Sequence, residues 1–120
     1  MTQEETKQNV LVIEDEENVA LTLVDQLKKE DLNVTRSKSV AESIEIVSKN
    51  NFHLALVDVG LPDGTGFDVV EFIRLKQPNT AIIFLTAYGS AEDRVKGLEV
   101  GAEDYIVKPF HLKELILRIN

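Results

Sequence analysis

The sequence predicts a doubly wound α/β fold of five strand–helix units around one five-stranded parallel sheet. Three observations carry that expectation. Short apolar runs, NVLVI at 9–13, LALV at 54–57 and AIIFLT at 81–86, are suited to strands buried on both faces. Between them lie stretches whose apolar residues recur at three- and four-residue spacing, as on amphipathic helices. Strands that alternate with helices pair in parallel through right-handed crossovers, so the helices cover both faces of the sheet.

Each unit has its own signals. Residues 1–8, MTQEETKQ, are a polar leader, and residues 9–120 form the single domain. After NVLVI, a helix carries Val19, Leu23, Val24 and Leu27 on one face. NVTRS at 33–37 is a weaker strand, suited to an edge. Ser39 and Glu42 make the S-x-x-E pattern of a capping box, and Val40, Ile44 and Val47 line one side of the helix it opens. LALV is the third strand. Thr65 caps a third helix with Val69, Phe72 and Ile73 inward, which must stop near Pro78. AIIFLT is the fourth strand. Ser90 caps a fourth helix, which ends near Gly101 in a left-handed turn. DYIV at 104–107 is the fifth strand, and HLKELILRIN is a last helix with Leu112, Leu115, Ile116 and Ile119 packed.

Composition narrows the function. The 120 residues suffice for one domain with a real core, and 43% hydrophobic with 28% charged residues is ordinary for a soluble globular chain. With no cysteine there is no disulfide framework, thiolate metal site or thiol nucleophile. No secretory signal and no run approaching a membrane span is present, so a cytoplasmic protein without a membrane partner is expected. The formal net charge of -8 opposes nucleic-acid binding by the domain itself, since that requires a basic face. The acidity serves solubility or a cation site.

In doubly wound sheets, ligands bind beyond the carboxyl ends of the strands. Five polar residues fall there: Glu14 and Asp15 after the first strand, Asp58 after the third, Thr86 at the end of the fourth and Lys108 after the fifth. Each has an ordinary explanation taken alone. Asp15 could favour a helix start, Asp58 a turn, Thr86 a hydroxyl bond to its own loop, and Lys108 plain surface. All five explanations must hold together at one edge. In a flavodoxin-like strand order, 2-1-3-4-5, the first and third strands are neighbours, so three carboxylates converge and repel unless neutralised. A hard divalent cation such as Mg²⁺ does this. A lysine and a hydroxyl beside it suit phosphoryl chemistry, in which an aspartate can be the nucleophile.

Glu14-Asp15, DVGLPDGTG from Asp58, LTA at 85–87 and DYIVKPF at 104–110 together resemble the receiver domain of a two-component response regulator, over nearly all of residues 9–120. The resemblance implies that Asp58 accepts a phosphoryl group from a phosphohistidine of a sensor histidine kinase or phosphotransfer protein. It implies Mg²⁺ held by Glu14, Asp15, Asp58 and the backbone carbonyl of Gly60. Thr86 and Lys108 would contact the phosphoryl oxygens, a cis peptide before Pro109 would aim Lys108, and Tyr105 would be the switch aromatic that moves with Thr86. Gly60 and Tyr88 would tune the lifetime of the phosphorylated state, Gly60 by leaving one approach open and Tyr88 by covering another.

DRVKGLEVGAEDYIVKPFHLKELILRI, from Asp93 to Ile119, is closer still to the OmpR-type subgroup. Its members carry a winged-helix DNA-binding domain after the receiver and dimerise through the fourth helix, fifth strand and fifth helix. That implies an apolar patch of Val95, Leu98 and Ile116, with Arg94–Glu114 and Asp104–Arg118 ion pairs across a phosphorylation-dependent homodimer. Asn120 stands where the subgroup has a basic residue. A DNA-binding output would lie outside this chain; the alternative is a stand-alone receiver acting by protein contact or in a phosphorelay. An enzyme of the haloacid dehalogenase type also uses an aspartyl phosphate, but it needs a second Asp where this chain has Gly60, so a phosphoacceptor rather than an enzyme is expected. A Mg²⁺-independent binding module would not need all five edge residues. Neither His53 nor His111 is assigned a catalytic role.

Overall fold

A computed structural model describes residues 7–119. The six residues before them belong to the expected leader and lie outside the described residues, as does Asn120. Gln8 is already tied to the fold, its carbonyl accepting the Asn33 N–H at 3.0 Å.

The five expected strands form with the expected bounds: β1 (Asn9–Ile13), β2 (Asn33–Ser37), β3 (Leu54–Val57), β4 (Ala81–Thr86) and β5 (Asp104–Val107). They make one parallel sheet in the order β2-β1-β3-β4-β5, with β2 and β5 at the edges. The helices are α1 (Glu17–Lys29), α2 (Val40–Lys49), α3 (Gly66–Lys76), α4 (Ala91–Glu99) and α5 (Leu112–Ile119). The last starts one residue later than the sequence suggests, because His111 precedes it and its carbonyl accepts the Glu114 N–H at 3.0 Å.

Alternation along the central strands divides the core. Leu11, Ile13, Ala55, Val57, Ile82 and Phe84 face one way, against Val47 of α2 and Val69, Val70 and Ile73 of α3. Val10, Val12, Leu54, Leu56, Ile83 and Leu85 face the other, against Leu23 and Leu27 of α1 and Leu115 of α5. Helix α4 buries only Gly97.

Capping follows the sequence with one difference. Thr65 and Asp68 close a reciprocal capping box at α3, and the Ser90 hydroxyl accepts the Asp93 N–H at α4. At α2 the Ser39 hydroxyl accepts the Glu42 N–H, but the Glu42 carboxylate turns to the N–H of Lys38 rather than Ser39, so the expected box does not close. Asp63 caps the same helix start from a distance, its two oxygens accepting the next two N–H groups, those of Val40 and Ala41, at 2.7 and 3.0 Å. The segment after β3 also folds into a short antiparallel ribbon, Gly60–Leu61 with Gly64–Thr65, which no periodicity could signal.

The register levels the strand ends. Ile13 is the partner of Val57, and Thr86 that of Val107, so Glu14, Asp58 and Lys108 emerge beside one another at the carboxyl edge. The Asp58 N–H donates to the Ile13 carbonyl at 3.0 Å, and the Lys108 N–H to the Thr86 carbonyl at 2.8 Å. Helix α3 starts directly against this edge. A Cβ at Gly66 would stand 2.2 Å from the Asp58 carbonyl oxygen, so only glycine allows the approach. We expect Gly66→Ala to destabilise the fold by about 1–3 kcal/mol through overpacking. Urea unfolding checks this: the midpoint should fall, and an unchanged midpoint would contradict the contact.

Candidate functional site

The carboxyl edge gathers the acidic residues. Glu14, Asp15 and Asp58 each offer an oxygen, and these lie within 4.8 Å of one another. Glu14 and Asp58 are buried, at 3% and 9% exposure, while Asp15 is exposed. The Lys108 ammonium donates to Glu14 Oε1 at 2.5 Å and to Asp58 Oδ2 at 3.2 Å. The Lys108–Pro109 peptide is cis, as the resemblance implies. The other Glu14 oxygen accepts the Glu16 N–H at 3.3 Å, and Asp58 Oδ1 accepts the Gly60 N–H at 3.3 Å.

Burial dominates the electrostatics. Desolvation pushes the Glu14 carboxyl up from its ordinary 4.5 to about 7, with the Asp58 charge adding to the rise and the Lys108 bond opposing it. Burial alone would lower the Lys108 ammonium, yet its bond to Glu14 and the Asp58 charge carry it net upward. One ammonium faces two buried carboxylates and an exposed third. Such a set of hard oxygen donors can hold a metal ion.

Thr86 is buried at the end of β4, and its Oγ1 accepts the Tyr88 N–H at 3.2 Å. Tyr88 is 54% exposed, but its ring covers Gly60: a Cβ there would meet Tyr88 Cε2 at 2.7 Å. The space the missing Gly60 side chain leaves is therefore the space the Tyr88 ring fills. Tyr105 is half-buried, its ring 5.5 Å from that of Phe84 and its hydroxyl donating to the Tyr88 carbonyl.

The remaining expected residues lie elsewhere. Val95 and Leu98 stand exposed on α4, with Arg94 also exposed, whereas Ile116 is half-buried against the core. Arg118 pairs with Asp104 of its own chain and lies 3.6 Å from Glu114 one turn earlier. His53 sits at the opposite edge, where Nδ1 accepts the Asn9 N–H at 2.8 Å. Sequence reading passed over Arg36 and Asp63. Arg36 binds the loop that carries Glu14 and Asp15, and Asp63 pins the loop after Asp58 to α2. An arginine in an edge strand before an S-x-x-E motif was a weak signal for the first, and an Asp in a turn was none for the second.

The family model for the response regulator receiver domain matches residues 10–120. The chain belongs to that family. It is 38% identical over 114 residues to the uncharacterized transcriptional regulatory protein YkoG of Bacillus subtilis, covering 95% of this chain and 50% of that protein. It is 39% identical over 111 residues to the cell cycle response regulator CtrA of Brucella ovis, covering 92% of this chain and 48% of that one. Among solved structures it resembles the non-phosphorylated HemR receiver domain of Leptospira biflexa, with a TM-score of 0.89, 39% identity, and 94% and 91% of the two chains covered. The chain thus spans about half the length of the curated relatives it matches. Receiver domains are phosphoacceptor signalling domains. Among the described residues, no helix is long and apolar enough to cross a membrane.

The Glu14 shift fixes a sign in this receiver. Folding takes up a proton on Glu14, so metal-free stability declines as pH rises from 4.5 through about 7. We expect the stability difference between the wild type and Glu14→Gln to move in favour of the variant across that window. Urea unfolding in chelator at a series of pH values measures it, and a difference constant with pH would contradict the shift.

Proposed function

We propose that this receiver takes a phosphoryl group onto Asp58 from the phosphohistidine of a sensor histidine kinase or phosphotransfer protein, in a Mg²⁺-dependent reaction. The observation that carries the reading is the Asp58 carboxylate at the end of β3, 3.2 Å from the Lys108 ammonium and clustered with Glu14 and Asp15. In the transfer an Asp58 oxygen bonds to phosphorus while the bond from phosphorus to the histidine nitrogen breaks. The electron pair returns to the imidazole. Catalysis is then positioning and charge neutralisation.

Glu14, Asp15, Asp58 and the Gly60 carbonyl would hold the metal. Three clustered carboxylates facing one ammonium fit such an ion. When bound, Mg²⁺ offsets carboxylate repulsion and coordinates phosphoryl oxygens. Lys108, a compact charge on a flexible stem, can turn from the carboxylates to a phosphoryl oxygen. The Thr86 hydroxyl is the second donor at the edge, and Tyr105 is the aromatic that responds to it.

The response is read on the α4-β5-α5 face. Exposure of Val95 and Leu98 supports a dimer there, joined by Ile116 and by the charges Arg94, Asp104, Glu114 and Arg118. The Asp104–Arg118 pair satisfied within one chain is exposed, and such pairs exchange partners at little cost. Residues 9–120 act as the receiver of a cytoplasmic regulator, with DNA bound by an output domain in another segment.

Incubation with Mg²⁺ and a small acyl phosphate should add one phosphoryl group to the wild type by intact mass and none to Asp58→Asn. Labelling that survives in the variant would overturn the assignment. The contact between Gly60 and Tyr88 sets a second expectation: Tyr88→Ala uncovers the phosphoryl group and speeds its loss severalfold, and Gly60→Met displaces the ring and changes the rate too. Unchanged dephosphorylation in both would remove Tyr88 from this role.

A further inference from the structure

We infer that Arg36 is a positioning residue of the metal site, holding from β2 the loop that presents Glu14 and Asp15. The inference rests on the metal-site reading above.

Loop 14–16 joins β1 to α1, and its usual lock is missing, because Glu16 at the N-cap makes no side-chain capping bond. Arg36 restrains the loop in a different way, through its carbonyls. Its Nε and Nη2 both donate to the Glu14 carbonyl, at 3.1 and 2.9 Å, and Nη2 also reaches the Asp15 carbonyl at 3.4 Å. The Glu14 N–H meanwhile donates to the Ser37 carbonyl at 2.9 Å. Both backbone groups of Glu14 are therefore anchored to β2, which leaves its side chain one direction, toward Asp58 and Lys108.

A surface ion pair is the ordinary use of an arginine on an edge strand. The fourth bond, Nη1 to Glu17 at 3.0 Å, is of that kind and contributes little. The other three go to main-chain carbonyls, and the Arg36 side chain is only 18% exposed. A planar fork can grip one carbonyl with two N–H groups and still reach its neighbour, which an ammonium cannot. The guanidinium charge is offset in part by Glu17, 3.0 Å away. Residues that orient ligands from outside a metal site typically control 10–100-fold in affinity.

The test uses the protein with MgCl₂ as the probe, titrated calorimetrically, and amide hydrogen exchange in chelator as a second readout. Arg36→Met and Arg36→Lys should each weaken Mg²⁺ binding about tenfold or more. Both should speed exchange at Glu14 and Glu16. Glu17→Gln, which removes only the ion pair, should bind like the wild type. Thermal melting confirms that each variant is folded, and Arg36→Lys, which keeps charge and stem, serves where Arg36→Met does not fold. Wild-type affinity in Arg36→Lys, alongside weak binding in Asp15→Asn, would overturn the role of Arg36 alone. Wild-type affinity in Asp15→Asn would instead overturn the metal-site reading, and the inference with it.

Discussion

The Lys108 ammonium between Glu14 and Asp58 is the contact around which the carboxyl edge is arranged. Two carboxylates taken out of water in adjacent positions each raise the cost of charging the other. The lysine bond lowers that cost without removing it, since Glu14 still titrates near 7. With Asp15 at the rim, the edge keeps more negative charge than its one ammonium balances. A sheet edge in that condition has unused affinity for positive charge.

Such a cluster holds its shape only if the backbone beneath it cannot relax, and each strand end has its own restraint. Asp58 is fixed by its N–H on Ile13 and by the start of α3, which packs against its carbonyl. The ribbon after it is drawn to α2 by Asp63, whose carboxyl is held below the usual range by the Ala41 and Val40 N–H groups. That tie is at full strength above the ordinary aspartate range and is lost as pH falls through the lowered value. Glu14 is fixed by Ser37 and Arg36. For Glu14 and Asp58 these restraints grip the main chain, whereas the Asp63 carboxylate is itself the grip, both its oxygens accepting α2 N–H groups.

These supports explain what was legible in the sequence. Strand bounds were readable because buried strands are continuous apolar runs with abrupt ends, and Asp58, Thr86 and Lys108 were readable because those ends coincide with polar residues. Thr65 and Ser90 were readable because caps act locally. The Asp63 tie to α2 spans 23 residues, the Arg36 tie to Glu14 spans 22, and neither has a local signature. The half-formed box at Ser39 shows the limit from the other side. The motif was present, yet a distant aspartate met the helix N-terminus and Glu42 turned elsewhere. The Tyr88 cover over Gly60 was similarly invisible, since it depends on where two loops from different strands meet.

The same contact map limits how a change at the edge can spread. Tyr88 is bound at both its backbone groups, its N–H on the Thr86 hydroxyl and its carbonyl under the Tyr105 hydroxyl. Thr86 and Tyr105 are therefore linked through one residue. The Tyr105 ring packs on Phe84 of the core on one side and on Gly97 of α4 on the other. Phe84 is wholly buried and cannot yield, whereas α4 buries Gly97 alone and is otherwise steadied by the Lys96 ammonium 4.9 Å over the Phe67 ring. Helix α3 is sealed into the core, α2 buries Ser43 and Val47, and both are pinned by side-chain caps at their starts. Of the elements that touch this relay, α4 is the one whose displacement breaks the fewest buried contacts, and it is the helix that carries the exposed Val95 and Leu98. If Asp58 is phosphorylated as proposed, packing would favour a response at that apolar surface, where a partner could read it.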